Sequence, residues 1–404
     1  MNEKRSYYEK ACRRVRLARY GVLLFLLLFV IFSMTFFRDE ITFDNFRYLM
    51  KYIEVSPPSM GGEENVLSIS GGKNASALLN EKLVLADDGT VVSYDLSGRK
   101  LLSESIRYPN PSYVCDDRYM LIYDRDGTGI SICNSFSKVC NKTLSTPIES
   151  AVLSSDGGFA VVTREKSYAG GFAVYDNRYK KIYSFMTRSA AITDLCYDGR
   201  QKRAACTALD AQNGDFYVEV YTFDLTNEDD IKAKASLSGE LPLSMFCAGK
   251  NFALMTDRGI HFYDYDANET AFCDFEYETP ESIYRFNDFF AVVLKSSLAG
   301  TDTTLRLYDY EGTLLFTRRF SSELSAVHAA NGYLYVLEPY ALNIFSYDTE
   351  ADRFGVSELE TVAADGEYKT VFSLEDGEYL LLSASSAVRR SVTVPEQTDE
   401  EPSA

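Results

Sequence analysis

The chain has 404 residues, of which 46% are hydrophobic and 25% are charged. These proportions are typical of a globular protein and exclude wholesale disorder, a collagen helix or a coiled coil. With 59 acidic and 41 basic residues, the formal net charge is −18, which argues against a nucleic-acid partner. The chain has 29 Tyr and 26 Phe but no Trp. Its two His provide few candidates for acid–base catalysis or metal binding.

The N-terminal segment has the charge pattern of a membrane anchor. Residues 1–20 carry seven Lys or Arg and two Glu, and the apolar run from Tyr20 to Phe37 contains no charge. A helix of this length would reach about 27 Å, close to the ~30 Å hydrocarbon core. The run is longer than a signal-peptide core and ends in bulky residues, which favours an uncleaved anchor over a cleaved signal peptide. The positive-inside rule then predicts a basic cytoplasmic stub at 1–19, a transmembrane helix at 20–37 and an extracytoplasmic remainder.

A short juxtamembrane helix is predicted next. Four apolar residues fall on one helical face, namely Phe46, Leu49, Met50 and Ile53. This helix either rests at the membrane interface or packs on the outer domain, and the pattern fits both interpretations. Residues 56–62, which contain two Pro and two Gly, end any helix. We therefore interpret residues 38–62 as a juxtamembrane helix and linker.

Short strands that repeat at a regular interval are predicted from residue 63 onward. Runs rich in Val, Leu, Ile, Tyr and Phe alternate with Gly, Asp and Asn turns, without a convincing helical period. An aromatic residue followed by Asp ends a strand at Tyr94-Asp95, Tyr175-Asp176, Phe223-Asp224, Tyr263-Asp264, Tyr308-Asp309 and Tyr347-Asp348. The first gap is double, and Cys133-Asn134 fills its middle. The resulting unit of about 42 residues is typical of a four-stranded propeller blade.

The repeats predict an all-β, eight-bladed β-propeller over residues 63–394, with seven blades as the alternative. The last unit supplies only three strands, and the strand-like piece Asn65–Ser70 is left over before the first unit. If Asn65–Ser70 is the outer strand of the last blade, the ring closes by joining the two chain ends and leaves no open edge. A stacked, unclosed β-array is the other possibility. Residues 395–404 are predicted to be an acidic disordered tail.

Two segments carry a resemblance to known proteins. Gly89–Ser105 (GTVVSYDLSGRKLLSES) resembles the repeats of pyrroloquinoline-quinone-type and WD-type propellers. With Phe43–Glu54 (FDNFRYLMKYIE), the basic N-terminus and the apolar run, the chain resembles an uncharacterised bacterial family of single-pass membrane proteins with an extracytoplasmic WD40/PQQ-like β-propeller, a domain of unknown function. The resemblance implies a Gram-positive-type cell envelope and no established activity. Because quinone enzymes dock their blades with Trp, it extends to the scaffold and not to quinone chemistry.

A search for chemical motifs predicts no catalytic residue, cofactor or metal site. The sequence contains no HExxH, GxSxG, P-loop, GxGxxG or paired CxxC motif. His261 and His328 lie in separate predicted strands and are interpreted as structural residues. Asp124–Thr128 only faintly resembles a Ca²⁺ loop and is interpreted as a hairpin turn. The acidic cluster Glu228–Asp230 is interpreted as a solvated loop, with cation or cationic-peptide binding as the alternative.

The spacing of the cysteines allows two disulfides, with free thiols as the alternative. Cys12 lies in the predicted cytoplasmic stub, whereas the other seven lie in the predicted outer part, where disulfides persist. Cys133 and Cys140 flank one hairpin, and Cys196 and Cys206 flank another. Either pair bridges facing strands if the register brings the Cα atoms within ~7 Å. The alternative is buried thiols, and the odd number leaves at least one cysteine unpaired.

The function expected from these features is a non-enzymatic, membrane-anchored platform for protein or glycan interactions at the cell envelope. Its expected partners are the lipid bilayer, through the anchor, and an envelope protein or glycan. Two alternatives remain. One is a ligand sensor that signals through a membrane partner, because the predicted stub is too short for a signalling domain. The other is a glycan-processing enzyme, which would need two carboxylates about 5–10 Å apart in one cleft.

Overall fold

The computed structural model describes residues 19–29, 66–69, 74–87, 89–212, 215–227, 231–296, 300–349, 354–364 and 367–392. The chain divides into two units, Met1–Pro58 and Ser59–Ala404. In the first unit, residues 19–29 form an α-helix with exposed apolar side chains. Among the described residues, no helix has the length and apolar character that a membrane span requires. Residues 1–18 of the predicted stub, residues 30–37 of the predicted anchor, the segment 38–62 and the tail 395–404 lie outside the described residues.

The second unit is an eight-bladed β-propeller, with each blade a four-stranded antiparallel sheet. We call the four strands of a blade A to D in order from the centre of the ring outward. Blade 1 contains β2 (Ala75–Leu79), β3 (Lys82–Asp87), β4 (Thr90–Tyr94) and β5 (Lys100–Ser105). Blade 2 contains β6 (Pro111–Cys115), β7 (Met120–Asp124), β8 (Gly129–Cys133) and β9 (Lys138–Thr143). Blade 3 contains β10 (Ile148–Leu153), β11 (Phe159–Thr163), β12 (Gly170–Tyr175) and β13 (Lys181–Thr187).

The next four blades follow the same order. Blade 4 contains β14 (Ala191–Asp198), β15 (Arg203–Gln212), β16 (Asp215–Asp224) and β17 (Ala233–Ser238). Blade 5 contains β18 (Pro242–Ala248), β19 (Asn251–Thr256), β20 (Gly259–Tyr263) and β21 (Glu269–Asp274). Blade 6 contains β22 (Thr279–Arg285), β23 (Phe289–Lys295), β24 (Thr303–Asp309) and β25 (Leu314–Phe320). Blade 7 contains β26 (Ala326–Ala330), β27 (Tyr333–Leu337), β28 (Ala341–Asp348) and β29 (Gly355–Ala363).

Blade 8 joins the two ends of the repeat region. It contains β30 (Thr370–Ser373), a 3₁₀ turn (Glu375–Gly377), β31 (Glu378–Leu382) and β32 (Ser386–Ser391), with β1 (Val66–Ser68) as its strand D. β1 pairs antiparallel with β32, and Leu67 lies opposite Ala387. This pairing confirms the predicted closing strand and the eight blades, and it rules out both the seven-bladed ring and the open array.

The core lies between neighbouring blades. Both faces of strands B and C are covered by adjacent sheets, so these strands are continuous apolar runs such as Leu83–Ala86, which is fully buried. The outer strand D instead alternates between partly buried and exposed residues, as in Ala233–Ser238. At the inner rim, the A–B turns of neighbouring blades bond to one another. Asn80 N donates to Asp117 O (2.8 Å) and Gly199 N donates to Ser154 Oγ (2.9 Å).

The recurring aromatic–Asp pair has a physical cause. In blade 6, Asp309 Oδ1 accepts hydrogen bonds from Glu311 N (2.9 Å) and Thr313 N (2.7 Å), which closes the C–D turn. Asp95, Asp176 and Asp264 make the same pair of contacts in blades 1, 3 and 5. The aromatic residue before each Asp packs into the space between blades. Asn134 Oδ1 also accepts two turn N–H groups, from Phe136 and Ser137 in a turn one residue tighter, which confirms that Cys133-Asn134 is the missing repeat mark.

Candidate functional site

The antiparallel order of the strands gives the ring two faces. The B–C and D–A connections lie at one edge, which we name the upper face, and the A–B and C–D turns lie at the other, the lower face. Among the described residues of the propeller, the large exposed aromatic side chains are Phe216, Phe272, Tyr277 and Tyr340. All four lie at or next to the upper face, and Tyr277 and Tyr340 are 93% and 76% exposed. Leu241 and Leu243, also exposed, lie there too.

We name these six residues the upper apolar set: Phe216, Leu241, Leu243, Phe272, Tyr277 and Tyr340. They belong to blades 4, 5 and 7, to the connection between blades 4 and 5 (Leu241) and to the connection between blades 5 and 6 (Tyr277). The other exposed large apolar residues of the described propeller are not aromatic: Ile182, Ile231, Leu314 and Val66 lie at or near the lower face, and Met186 lies near the upper end of β13. Clustering of exposed aromatic residues on one face is a sign of an interaction surface.

Hydrogen bonds hold the connection that carries Leu241. Leu241 N donates to Asp257 Oδ1 (2.7 Å), and Asp257 N donates back to Leu241 O (3.1 Å). Blade 2 has the same arrangement, in which Asn110 N donates to Asp124 Oδ1 (3.0 Å) and Arg125 N donates to Asn110 O (2.8 Å). The D–A connection is therefore tied to the B–C turn of the following blade, and the exposed side chains project from a constrained backbone.

His261 anchors the same connection through Glu240. Its Nε2 lies 2.9 Å from Glu240 Oε2 and its Nδ1 lies 2.9 Å from Glu269 Oε1, while Thr256 Oγ1 donates to Glu240 Oε2 (2.7 Å). The ring is buried and has a carboxylate at each nitrogen, so His261 has the structural role that the sequence predicts. His328 is also structural, since its Nδ1 accepts a hydrogen bond from Ser373 N (3.0 Å) in the next blade.

Carboxylates are held beside the upper apolar set in successive blades. Glu278, in the connection after blade 5, accepts hydrogen bonds from Thr304 Oγ1 (2.6 Å) and Arg306 Nη2 (2.8 Å). Glu338, in the B–C turn of blade 7, accepts one from Asn343 Nδ2 (2.7 Å). With Glu240, these groups give the rim of this surface a fixed acidic character, although Arg306 offsets part of it. Isolated surface carboxylates would be mobile, whereas these are tied to strand C.

The inner strands carry one titratable residue that sequence reasoning missed. Asp194, in β14, accepts hydrogen bonds from Leu195 N (2.8 Å) and from Met245 N (2.7 Å) in the neighbouring blade. Desolvation raises the pKa of its carboxyl group to about 6. At His328, desolvation instead lowers the pKa to about 4. The signal for Asp194 was a single carboxylate within the apolar run ITDLCY, which the search for paired or clustered motifs passed over.

The two suggested disulfides are not formed in the structure, where Cys133, Cys140, Cys196 and Cys206 are all free thiols. The register explains why. Cys140 lies opposite Ile132, and Cys206 lies opposite Leu195, so each pair is offset by one residue. Because side chains alternate along a strand, the two members of each pair point to opposite faces of the blade and belong to different core clusters. The alternative, buried thiols, describes all four.

The remaining candidates lie apart from the upper apolar set. Asp124–Thr128 forms the B–C turn of blade 2, where Gly127 N donates to Asp124 O (3.0 Å), so the predicted hairpin turn is confirmed. Glu228–Asp230 lies outside the described residues.

A cavity of about 330 Å³ lies at the lower face between blades 6 and 7, lined in part by Asp288 and Asn331. In the part of the chain that the structure describes, no group of three or more His, Cys, Asp or Glu is placed to hold a metal ion.

Comparison with known proteins gives a family and a fold. Residues 63–378 match the Family of unknown function (DUF5711). The chain belongs to this family. No curated protein matches this family member. Among solved structures, the C-terminal WD40 domain of Sif2 is similar at 10% identity and a TM-score of 0.52, covering 82% of this chain and 96% of that one. BamB from Moraxella catarrhalis is similar at 10% identity and a TM-score of 0.48, covering 80% and 98%. At these identities the likeness shows the propeller fold alone.

Proposed function

We propose that this DUF5711 protein is a non-enzymatic interaction platform tethered to the outer side of the cell membrane, and that its upper face binds a protein partner. The observation that carries the proposal is the upper apolar set, in which every large exposed aromatic side chain of the described propeller lies at one face of the ring. Aromatic side chains are enriched at protein interfaces, and Tyr is among the residues that carry most of the binding free energy there.

The surroundings of the set define the partner further. The anchored carboxylates Glu240, Glu278 and Glu338 favour a partner whose apolar contact residues are flanked by Lys or Arg. Because the hydrogen bonds around Leu241 constrain the backbone, binding would order few residues of the platform. A low ordering cost leaves more of the contact free energy for affinity.

The proposed location rests on the sequence of the first 37 residues. A basic stub followed by an uncharged apolar run supports a single span with the N-terminus in the cytoplasm. The propeller is then proposed to face the envelope.

Site-specific photo-crosslinking in intact cells tests the proposed surface. A photoreactive amino acid replaces Tyr277 or Tyr340 on the upper face, and Ile182 or Leu314 on the lower face serves as the matched control. We expect one protein to crosslink from the upper positions only. The purified partner should then bind the full chain, and Tyr277→Asp should weaken binding at least ~10-fold while Leu314→Asp leaves it unchanged.

Three outcomes would contradict the proposed function. Equal crosslinking from both faces would remove the upper apolar set as the binding surface. A glycan, rather than a protein, recovered from the upper positions would replace the proposed partner class. Turnover of an envelope glycan by the purified protein would replace the platform with an enzyme.

A further inference from the structure

Cys196 and Cys247 meet at the boundary between blades 4 and 5. Cys196 lies on β14 and Cys247 on β18, the innermost strands of the two blades. Their thiol groups are hydrogen-bonded to one another, and Cys247 Sγ lies 3.9 Å from Tyr265 Oη. Cys196 belongs to the buried cluster of this boundary, and Cys247 packs against that cluster. Both thiols therefore occupy one small site, although 51 residues separate them in the sequence.

The backbone of the two strands is held in register beside this pair. The contact between Asp194 Oδ2 and Met245 N (2.7 Å) lies two residues before the cysteines on both strands. Because side chains two residues apart in a strand share a face, Cys196 points towards β18 as Asp194 does. The thiol pair is therefore the next side-chain contact between these two strands.

We propose that Cys196 and Cys247 form a reversible disulfide that locks the boundary between blades 4 and 5. The oxidant is a disulfide, either a low-molecular-weight one or that of a protein oxidase. The Cys247 thiolate attacks one sulfur of the oxidant and releases the other as a thiol, which leaves a mixed disulfide. Cys196 then loses its proton, attacks Cys247 Sγ and expels the second thiol. Two protein thiols are oxidised and the oxidant disulfide is reduced to two thiols.

The two thiols differ in a way that suits this order of steps. Cys247 is partly exposed, and the hydrogen bond from Cys196 lowers the pKa of the Cys247 thiol. Cys196 is buried, and desolvation raises the pKa of its thiol well above the ordinary value. Cys247 is thus the nucleophile that reaches an external oxidant, and Cys196 is the resolving thiol.

The chain offers a matched control pair in blade 2. Cys115 and Cys133 also share one core cluster, but Met120 lies between them in the sheet, opposite both. Two strand spacings, about 9–10 Å, therefore separate their backbones, which is too far for a disulfide.

Oxidation of the full-length protein with oxidised glutathione tests the proposal. The eight thiols should fall to six, and peptide mass spectrometry should find Cys196 linked to Cys247. The linkage should raise the Tm by about 5 °C, and dithiothreitol should reverse the rise. Cys247→Ser and Cys196→Ala should each abolish the linkage, whereas Cys115→Ser should lose two thiols as the parent does. Far-UV circular dichroism of the reduced proteins checks that each variant folds.

Several results would overturn the disulfide. One is that the protein keeps all eight thiols after treatment with oxidised glutathione. Another is a disulfide between other cysteines. A third is glutathione that stays on Cys247 without transfer to Cys196. Since Cys247 is partly exposed, the serine variant provides a folded comparison even if the alanine variant at buried Cys196 does not fold.

Discussion

Single polar side chains on the inner strands connect neighbouring blades, and two of them titrate in opposite senses. Asp194 binds a backbone N–H of blade 5, and His328 accepts one from blade 8. The raised pKa of Asp194 means that folding takes up a proton between about pH 4 and 6. The lowered pKa of His328 means that folding releases one over nearly the same range. The two effects on stability therefore oppose each other.

Because the two effects offset each other in the parent, we expect each to change the pH dependence of stability visibly only when the other residue is left in place and one is replaced. For Asp194, stability is highest below about pH 4 and falls as the pH rises to 6, by about 1.4 kcal/mol per pH unit. For His328, stability rises over this range by a similar amount per unit. Asp194→Asn should therefore make stability rise more steeply with pH than in the parent, and His328→Gln should make it rise less or fall. Urea unfolding at pH 4.5, 5.2 and 6.0 measures the slopes.

The double variant is the control for this pH dependence. The two residues lie in blades 4 and 7, so their effects should add, and the double variant should regain the parent slope. Parallel stability curves for the parent and both single variants would contradict the assigned pKa directions.

The carboxylates that close the C–D turns predict a second residue-level effect. Asp309→Ala removes the acceptor of two turn N–H groups and should cost about 1 kcal/mol of unfolding free energy. Asp309→Asn keeps an oxygen acceptor at this position, as Asn134 does in blade 2. It should lower the unfolding free energy by only roughly a few tenths of a kcal/mol. Urea unfolding at pH 7 measures both. Equal losses in the two variants would show that charge, and not turn closure, is what Asp309 contributes.

At the level of elements, burial decides which strands can be recognised from sequence. Strands B and C lie between other strands and between neighbouring blades, so they form apolar runs that end in sharp turns. β1 has only three residues, yet it covers β32, which would otherwise expose its edge. Leu67 also packs against the cluster between blades 8 and 1. A short strand at this place therefore stabilises the ring in two ways.

Loss of β1 should destabilise the whole propeller. Replacing Val66–Ser68 with Gly-Ser-Gly removes the apolar contact of Leu67 and weakens the pairing with β32. We expect a loss of roughly 2–4 kcal/mol, which differential scanning calorimetry would detect as a Tm lower by several degrees. The same replacement at Glu396–Thr398, beyond β32 in the sequence, is the control. An unchanged Tm would show that β1 does not contribute to closure.

For the whole molecule, the proposed membrane anchor makes a prediction about the side of the membrane that the propeller faces. The proposed anchor and the basic N-terminus predict that a protease added to intact cells, after removal of any outer wall, digests the propeller. Residues 1–19 should be protected until the membrane is permeabilised. An immunoblot with tags at each end of the chain measures both. A propeller protected in intact cells would reverse the proposed orientation.

The sequence by itself determined the fold. The aromatic–Asp marks, the turn residues and the leftover strand before blade 1 specified four-stranded units and their closure. They could do so because they depend on local contacts, such as the turn bonds of Asp309, and on burial patterns along one strand. The two His were interpreted as structural because each lies alone in a separate predicted strand, although the partner of His328, Ser373 N, comes from the next blade.

Only the tertiary structure decided which residues meet across blade boundaries. Cys196 was considered beside Cys206 because a hairpin joins them, but a one-residue offset turns their side chains to opposite faces. Its true neighbour, Cys247, comes from the next blade. The upper apolar set also depends on the tertiary structure, because strand patterns do not reveal which Tyr, Phe and Leu side chains the packing of the blades leaves exposed. Contacts of this kind arise from the register and stacking of whole sheets, which a reading of local sequence patterns does not capture.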